Sequence, residues 1–401
     1  AAQTIGKITF EGNKRTKESF LKNIIDVKEG SPIDSILLQK SITQLKLLPA
    51  VADASYKIMT PNEGIPQIIF SITENYTLIP SGNVYTTNNN EFAFRIGLAE
   101  FNLFGRGIGV GGFYQNDIYN SYNITVRAPY LFSRKWGLGI SHQNITTLEP
   151  VFLQEGTADY KYSNVSYEAL VLFQLNANHR FEAGINYFSE KYNYIEGATN
   201  PNIPRELDVK KRLYKLQYIY DDVDFHFFYV NGFKSIFNFQ YVTSTDLVLP
   251  DFGIGWNDFI YYKRVGQTGN FASRLRLGIS NNSESPFAPF SVDNNLNIRG
   301  VGNEIDRGTA AIVLNAEFRK TLWEKNNLAV QGNVFVDSGS WRNPGGDFGD
   351  FADSQNLRVY PGAGIRLIHK TIFNAIFRID YGYGITKDAS NGVVFGIGQY
   401  F

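Results

Sequence analysis

From about residue 78 to the end, apolar and polar side chains alternate in run after run of some 8 to 12 residues. Phe92, Phe94, Ile96 and Leu98 alternate with Ala93, Arg95, Gly97 and Ala99. Trp136, Leu138 and Ile140 alternate with Gly137, Gly139 and Ser141. Phe271, Leu275, Leu277 and Ile279 alternate with Arg274, Arg276 and Gly278, and Ile312, Leu314, Ala316 and Phe318 with Val313, Asn315, Glu317 and Arg319. Phe373, Ala375, Phe377 and Ile379 alternate with Asn374, Ile376, Arg378 and Asp380. A period of two is the side-chain period of a β-strand, so this stretch reads as all-β.

A soluble sandwich would turn the apolar face to a core. A membrane barrel turns it outward to lipid and keeps the polar face inside. Two features favour the barrel. The polar face holds clustered charges of both signs, which pair in a wet lumen, and there are about sixteen strands, an even number as single-chain bacterial barrels require. Closing the sheet also removes the unpaired edges that lipid does not tolerate. The fold class expected is therefore an all-β transmembrane β-barrel of about sixteen antiparallel strands, with a small N-terminal α+β domain.

The connections agree. Short ones fall at residues 105–107, 176–178, 265–269, 324–327 and 369–370, and longer ones at 147–157, 194–206, 244–256, 281–308, 338–356 and 384–392. Short periplasmic turns and long extracellular loops are the expected asymmetry, which puts the N-terminal domain and Phe401 on the periplasmic side. With 24 Tyr and 32 Phe, the aromatic strand ends would supply the interfacial girdles.

Composition narrows the function. The formal net charge is zero, so no global basic field would find a nucleic acid. The chain has no cysteine, and so neither disulfide framework nor thiolate chemistry. No run of about 18 apolar residues is present, so no membrane-spanning helix is expected. Residues 1–4 carry neither a basic n-region nor an apolar h-region. Either the chain is cytosolic or a signal peptide has been removed, and an upstream domain is compatible with the sequence.

The first eighty residues have another rhythm. Residues 5–10 alternate as a strand, and Glu11 to Thr16 make a turn, with Thr16 as the expected N-cap of a helix to Asp26. A second helix over 34–47 places Ile36, Leu37, Ile42 and Leu45 near one face, and Leu48-Pro49 ends it. Strands follow at 54–59 and 66–73, around a turn at 61–64. This β-α-α-β-β order, with Ile5-Gly6-Lys7-Ile8-Thr9-Phe10-Glu11-Gly12-Asn13 at its start and Ile69-Phe70-Ser71-Ile72-Thr73-Glu74 at its end, resembles the polypeptide-transport-associated (POTRA) domain. An ordinary small α+β domain would share the element order. The domain boundary is expected between residues 1–79 and 80–401. A free sheet edge on the first domain would bind unfolded chain by β-augmentation.

Four places in the barrel region carry a second resemblance. Asn102-Leu103-Phe104-Gly105-Arg106-Gly107 looks like a first periplasmic turn. Ile298-Arg299-Gly300, within the stretch Leu296 to Gly302, looks like a Val/Ile-Arg-Gly-Phe/Tyr motif at the tip of a long sixth loop, 281–308. Phe335-Val336-Asp337-Ser338-Gly339 looks like a Phe-x-Asp-x-Gly motif, and Glu317-Phe318-Arg319 like an inward Glu-x-Arg. Together they resemble the BamA/TamA/FhaC-type outer-membrane protein assembly and secretion superfamily. Two departures stand out: Val301 replaces the aromatic after Arg-Gly, and there is one POTRA domain where assembly-type members usually carry several and secretion-type members usually two.

The alternation puts Gln331, Asn333, Phe335 and Asp337 on the lumen face, with Glu317 and Arg319 inward on the preceding strand. A loop folding back into the lumen would set Arg299 against Asp337, with Glu317 near, because the planar guanidinium fork suits a carboxylate. Standing alone, an Arg-Gly pair in a loop is a solvated turn. At the C-terminus, the last strand should pair with the first, residues 78–87. Gly396 and Gly398 would fall on one face, and Phe401 would end the chain in the aromatic of a barrel assembly signal. The glycines serve either a seam that opens laterally or the curvature of the wall.

No catalytic constellation is apparent, and the chain is not expected to be an enzyme. Residues 105–112 are glycine-rich but lead into a further strand, not the helix of a dinucleotide site. Asp337-Ser338-Gly339 lacks the spacing of a nucleophile elbow. His142, His179, His226 and His369 are scattered, and Asp347, Asp350 and Asp353 read as a solvated loop, so no metal or cofactor is expected. The partners expected are the outer-membrane bilayer and unfolded or nascent polypeptides, with accessory subunits or a fused passenger also compatible, and no nucleic acid. The resemblance implies insertion or translocation of polypeptides at the outer membrane of a Gram-negative cell. The alternatives are a translocator for one passenger, such as a patatin-like lipase, and a passive solute pore.

Overall fold

Residues 3–75 build a small two-layer unit because their apolar positions converge on one core. In the computed structural model, β1 (Lys7–Glu11), α1 (Glu18–Ile24), α2 (Ser35–Lys46), β2 (Val51–Met59) and β3 (Gln67–Glu74) form a three-stranded sheet in the order β1-β3-β2 under two helices. The structure describes residues 3–60, 64–86, 92–153, 155–226, 228–246, 249–292, 297–301, 306–370, 376–387, 389–398 and 400–401. Several expectations concern positions outside these residues: the turn at 61–63, Thr87, Leu296, Gly302 and the run 371–375.

Ile8, Phe10, Leu21, Ile24, Leu38, Ile42, Leu45, Ile68, Phe70 and Ile72 are all buried in one cluster. Asp34 caps α2, its carboxylate accepting from the N–H groups of Ile36 and Leu37 at 2.8 and 3.3 Å. The face α2 buries is Leu38, Ser41, Ile42 and Leu45, not the expected set. Ile36 and Leu37 stay exposed, since the i, i+3, i+4, i+7 row starting at Leu38 fixes the inward stripe. Thr16 also differs from expectation. Lys17 is the N-cap of α1 and gives no side-chain cap, while the buried Thr16 hydroxyl accepts from Asn102 Nδ2 at 2.9 Å.

Sixteen strands close into one antiparallel barrel. They are β4 (Leu78–Thr86), β5 (Phe92–Leu103), β6 (Ile108–Asp117), β7 (Tyr119–Ala128), β8 (Trp136–Leu153), β9 (Gly156–Gln174), β10 (His179–Gly197), β11 (Glu206–His226), β12 (Tyr229–Ser244), β13 (Phe252–Val265) and β14 (Gly269–Ser280). Loop six follows and carries its own hairpin, β15 (Phe290–Val292) and β16 (Asp306–Gly308). The ring resumes with β17 (Ala310–Lys325), β18 (Leu328–Arg342), β19 (Leu357–His369), β20 (Ile376–Tyr383) and β21 (Asn391–Ile397). Ile312, Leu314, Phe318, Val334 and Val336 are exposed on the outer wall, while Glu317, Arg319, Gln331, Asn333 and Asp337 are buried inside. This inverted polarity is what lipid outside and charge inside demand.

One of the expected long loops, 147–157, is largely strand. β8 and β9 run 18 and 19 residues, well past the roughly 9–11 needed to span a bilayer. In this stretch Thr146 and Thr147 are consecutive polar residues and β9 sets Lys161 and Ser163 against Tyr160 and Tyr162, so the clean hydrophobic alternation that marks a strand weakens.

The small unit is joined to the short-turn end of the barrel. Lys17 N–H donates to Gly105 O at 2.9 Å and Arg15 pairs with Glu100 at 3.2 Å. Phe20 packs on Tyr130 at 6.0 Å between ring centroids, and Arg134 contacts Asp26. The Asn102–Gly107 turn is shaped for this contact: a Cβ on Gly105 would lie 2.2 Å from Arg15 O.

Candidate functional site

The tip of loop six enters the lumen and lies against β17, β18 and β20. Register explains why something cationic must sit there. Asn315 faces Asp337 across the β17–β18 ladder, and Glu317 faces Phe335, so Glu317 and Asp337 are diagonal neighbours on one inward face. Two buried carboxylates at that spacing repel unless a cation lies between them.

Arg299 is that cation, and it is wholly buried at 0% exposure. Its Nε donates to Asp337 Oδ2 at 2.8 Å and its Nη2 to Oδ1 at 3.0 Å, a two-pronged pair. The backbone N–H of Arg299 adds a third bond to Asp337 at 3.0 Å. Nη1 donates to Glu317 Oε2 at 2.5 Å and lies 3.7 Å from Asp380 Oδ2. Phe335 contributes its ring face, 3.6 Å from the guanidinium carbon. Arg319 Nε donates to Glu317 Oε1 at 2.5 Å, and Arg366 bonds the same oxygen. Five arginines (Arg274, Arg299, Arg319, Arg366, Arg378) and three carboxylates (Glu317, Asp337, Asp380) are buried here, and with the adjoining Asp258–Arg276 pair neutral this leaves a surplus of two positive charges (5 − 3).

Gly300 has φ +95, and a Cβ there would stand 2.6 Å from Gly382 O, so only glycine lets the tip lie flat on β20. Ile298 and Val301 join Val292, Val313, Trp341 and Tyr360 in an apolar cluster beside the charges. Gly339 faces this cluster, since a Cβ on it would meet Ile298 at 2.8 Å. Val301 O accepts from Ser390 Oγ at 2.5 Å.

The C-terminal segment departs from expectation. Gly398 is not a strand residue: its φ of +98 turns the chain inward, and its N–H donates to Ile376 O at 2.7 Å. Tyr400 then lies in the lumen, its ring 4.4 Å from the guanidinium carbon of Arg299 and 4.9 Å from that of Arg378. Arg299 is thus held between two aromatic rings, one from β18 and one from the chain end. Phe401 does not end the β21 ladder; its ring is 5.8 Å from the guanidinium carbons of both Arg274 and Arg319. Gly396 remains in β21, where a Cβ would meet Arg378 at 2.7 Å, so it makes room for an inward arginine.

As a result β21 meets β4 through two register pairs, Phe395↔Val84 and Gly396↔Asn83. Every other pairing in the ring has at least seven among the described residues. Residues 78–82 of β4 have no partner from β21 among those pairs. An apolar recess of about 190 Å³ opens beside them, lined by Ile79, Pro80, Leu328, Leu367, His369, Phe377 and Ile397.

Sequence reasoning reached Arg299, Asp337, Glu317, Arg319 and Phe335, and the structure brings these five together. It missed Asp380, Arg366, Arg378, Asn297 and Tyr400. Strand parity alone would have turned Arg366, Arg378 and Asp380 inward.

A closed sixteen-stranded barrel with a β-α-α-β-β unit on its turn end and an arginine-bearing loop in its lumen defines a POTRA-and-barrel architecture. The POTRA model, described as a surface antigen variable number repeat, matches residues 3–75, and the Omp85 superfamily domain matches residues 102–401. The chain belongs to the Omp85 superfamily. Among solved structures it is similar to BamA from Haemophilus ducreyi lacking POTRA domains 1–3, at 15% identity and TM-score 0.58 over 99% of this chain and 84% of that one. It is also similar to CdiB from Acinetobacter baumannii, at 13% identity and TM-score 0.66 over 99% of this chain and 74% of that one. CdiB from Escherichia coli matches at 11% identity and TM-score 0.64, over 99% and 76%. No curated protein sequence matches the chain.

Proposed function

We propose that this chain handles other polypeptides at the outer membrane, inserting them into the bilayer or passing them across it, as barrels of its superfamily do. In this reading the POTRA unit lies in the periplasm, and the barrel begins with β4 at Leu78, two residues before the boundary expected from the sequence. The observation that carries it is the short seam. A sheet edge of five residues on β4 meets lipid beside an apolar recess, and an incoming strand could bond to that edge through its backbone without a specific sequence.

The POTRA sheet offers a second edge. On its β1 side the segment 28–33 lies close by: Ile5 N–H, just ahead of β1, donates to Ser31 O at 2.9 Å, and Glu29 accepts from the Ile8 N–H of β1 at 2.9 Å. β2 is the side left for strand addition. The buried Arg299 network keeps loop six in the lumen while the seam changes, which argues against a wide solute pore. The test is site-specific photocrosslinking from Ser81 on β4 and from Ser55 on β2. Capture of unfolded outer-membrane polypeptides at both positions supports the reading. A large, steady conductance unaffected by deleting residues 1–75, with no capture, supports the pore instead.

A further inference from the structure

On the wall facing away from the seam, the outer surface changes from apolar to cationic at one level. Counted around the ring from β4, β11 is the eighth of sixteen strands, and the β21–β4 seam lies between the sixteenth and the first. Lys211 of β11 turns inward and pairs with Glu190, so Lys210 and Arg212 on either side of it turn outward. Beneath them Tyr214, Leu216, Tyr218 and Tyr220 share the outward face, with Tyr214 and Leu216 well exposed. The next outward residue is Asp222, at the short-turn end, which accepts from Asn178 Nδ2 at 3.2 Å. Arg212 and Asp222 are ten residues apart (222 − 212), which matches the roughly 9–11 that a tilted strand needs to cross the hydrocarbon. Arg212 therefore stands at the headgroup level of the leaflet on the long-loop side, with Lys210 one strand repeat further out.

The neighbouring strands agree. Arg212 lies opposite Tyr187 on β10 and Thr243 on β12, and Lys210 lies opposite Ser189 on β10. Tyr187, Tyr214 and Tyr241 are exposed beside and beneath the two cations, as an interfacial aromatic row is. Ser189 and Thr243 set a hydroxyl on either side. The carboxylates nearby are engaged with other groups. Asp208 pairs with Lys191 at 2.5 Å, and Asp251 accepts from Tyr241 O–H and from Ser244 N–H, both at 3.4 Å.

We propose that Arg212, Lys210, Ser189 and Thr243 form a site for the phosphate of a lipid headgroup, on the outer wall opposite the seam. A guanidinium fork and an ammonium two residues apart on one strand face offer donors to several phosphate oxygens at once. The two hydroxyls add further donors, and Tyr187 and Tyr214 lie where the acyl chains begin. The site anchors the wall whose strand pairing is long, and leaves the apolar seam wall, with Val393 and Phe395 exposed, free of such an attachment. The inference rests on the barrel's place in a bilayer and not on polypeptide handling.

The test is native mass spectrometry of the intact chain in detergent, titrated with phosphatidic acid and with phosphatidylcholine. The parent should retain phosphatidic acid in preference, and that preference should fall several-fold in Lys210→Ser/Arg212→Ser. Lys210→Arg/Arg212→Lys keeps both charges and should keep most of the preference. Lys320, exposed on β17 toward the short-turn end, serves as the control, and Lys320→Ser should change nothing. Inorganic phosphate in excess should leave the lipid bound, because the acyl chains share in the affinity. Equal retention by the parent and Lys210→Ser/Arg212→Ser overturns the proposal, and so does an equal loss in Lys320→Ser. Displacement by inorganic phosphate overturns the assignment to a lipid and leaves a site for free anions. Heat-modifiable migration in SDS checks that each variant is assembled. Should the double serine variant fail that check, Arg212→Gln replaces it, and retention equal to the parent's again overturns the proposal.

Discussion

Replacing Arg299 with alanine removes the cation between two diagonal carboxylates, and the surroundings set how much that costs. Glu317 keeps Arg319 and Arg366, and Asp380 keeps Arg378. Asp337 is the group left stranded, retaining only the backbone N–H at position 299. Removing one partner of a buried pair costs about 3–5 kcal/mol. Here the low end applies, because the variant also lowers the local charge surplus from two to one. A loss of about 3 kcal/mol raises the released population of loop six roughly 100-fold. Asp337→Ala should be worse, since it raises the surplus from two to three and frees Arg299 from its two-pronged partner. The high end, about 5 kcal/mol, corresponds to a rise of more than roughly 1,000-fold.

The reporter is Val301→Cys, a buried position in an otherwise cysteine-free chain. Its maleimide labelling rate follows the open population when reclosing is fast. Labelling of Arg299→Ala no faster than the parent would refute the reasoning. So would an Asp337→Ala variant that labels more slowly than Arg299→Ala, because the charge surplus would then play no part.

Three further outcomes follow from the same geometry. Gly300→Ala forces a left-handed residue against Gly382 O and should release the tip by at least about 1–2 kcal/mol, read by the same labelling. Gly398→Val disfavours the inward turn at φ +98 and should draw the chain end out of the lumen, seen as lost protection of Tyr400 from chemical modification. Glu74 accepts from the N–H groups of Lys14, Arg15 and Thr16, at 2.7 to 3.2 Å, in the segment that docks on the barrel. Burial pushes its carboxyl up, but the bonds from Thr16, Arg15 and Lys14 outweigh that and hold it below the usual carboxylate range. Its stabilisation is therefore present above about pH 4.3, the unfolded value, and lost as pH falls through the lower folded value. Glu74→Gln should remove that acid-dependent step from the unfolding curve of the intact chain.

The wall of this barrel was legible because lipid outside and charge inside impose one parity on every strand, and sequence parity sees it at Ile312 to Arg319 as clearly as the structure does. The Arg299 cluster was legible for a related reason. Asp337 and Glu317 are inward by parity, and Arg299 is one of two arginines, with Arg307, in the loop long enough to reach them. What parity cannot show is a local turn that takes residues off the wall. Gly398 does this to Tyr400 and Phe401, so a segment that reads as the end of a strand becomes part of the lumen. Nor does parity show contacts between distant parts of the chain, and Arg307–Glu149 joins residues 158 apart. In the small domain, Thr16 looks like a helix cap because caps are the commonest use of threonine before a helix. Here the barrel turn at Asn102 takes its hydroxyl instead.

The seam gives the most direct test of the account. The register that pairs Phe395 with Val84 and Gly396 with Asn83 sums to 479 at each pair. Extended to the end of the chain, it sets Tyr400 opposite Ile79 and Phe401 opposite Leu78, the first residue of β4, since 400 + 79 and 401 + 78 give the same sum. A disulfide between Ile79→Cys and Tyr400→Cys would hold that completed ladder, within the Cα spacing that paired strands provide. If polypeptides enter through the seam, oxidation should abolish their insertion or translocation, and reduction should restore it. Undiminished polypeptide handling with the seam fully bridged would contradict the account.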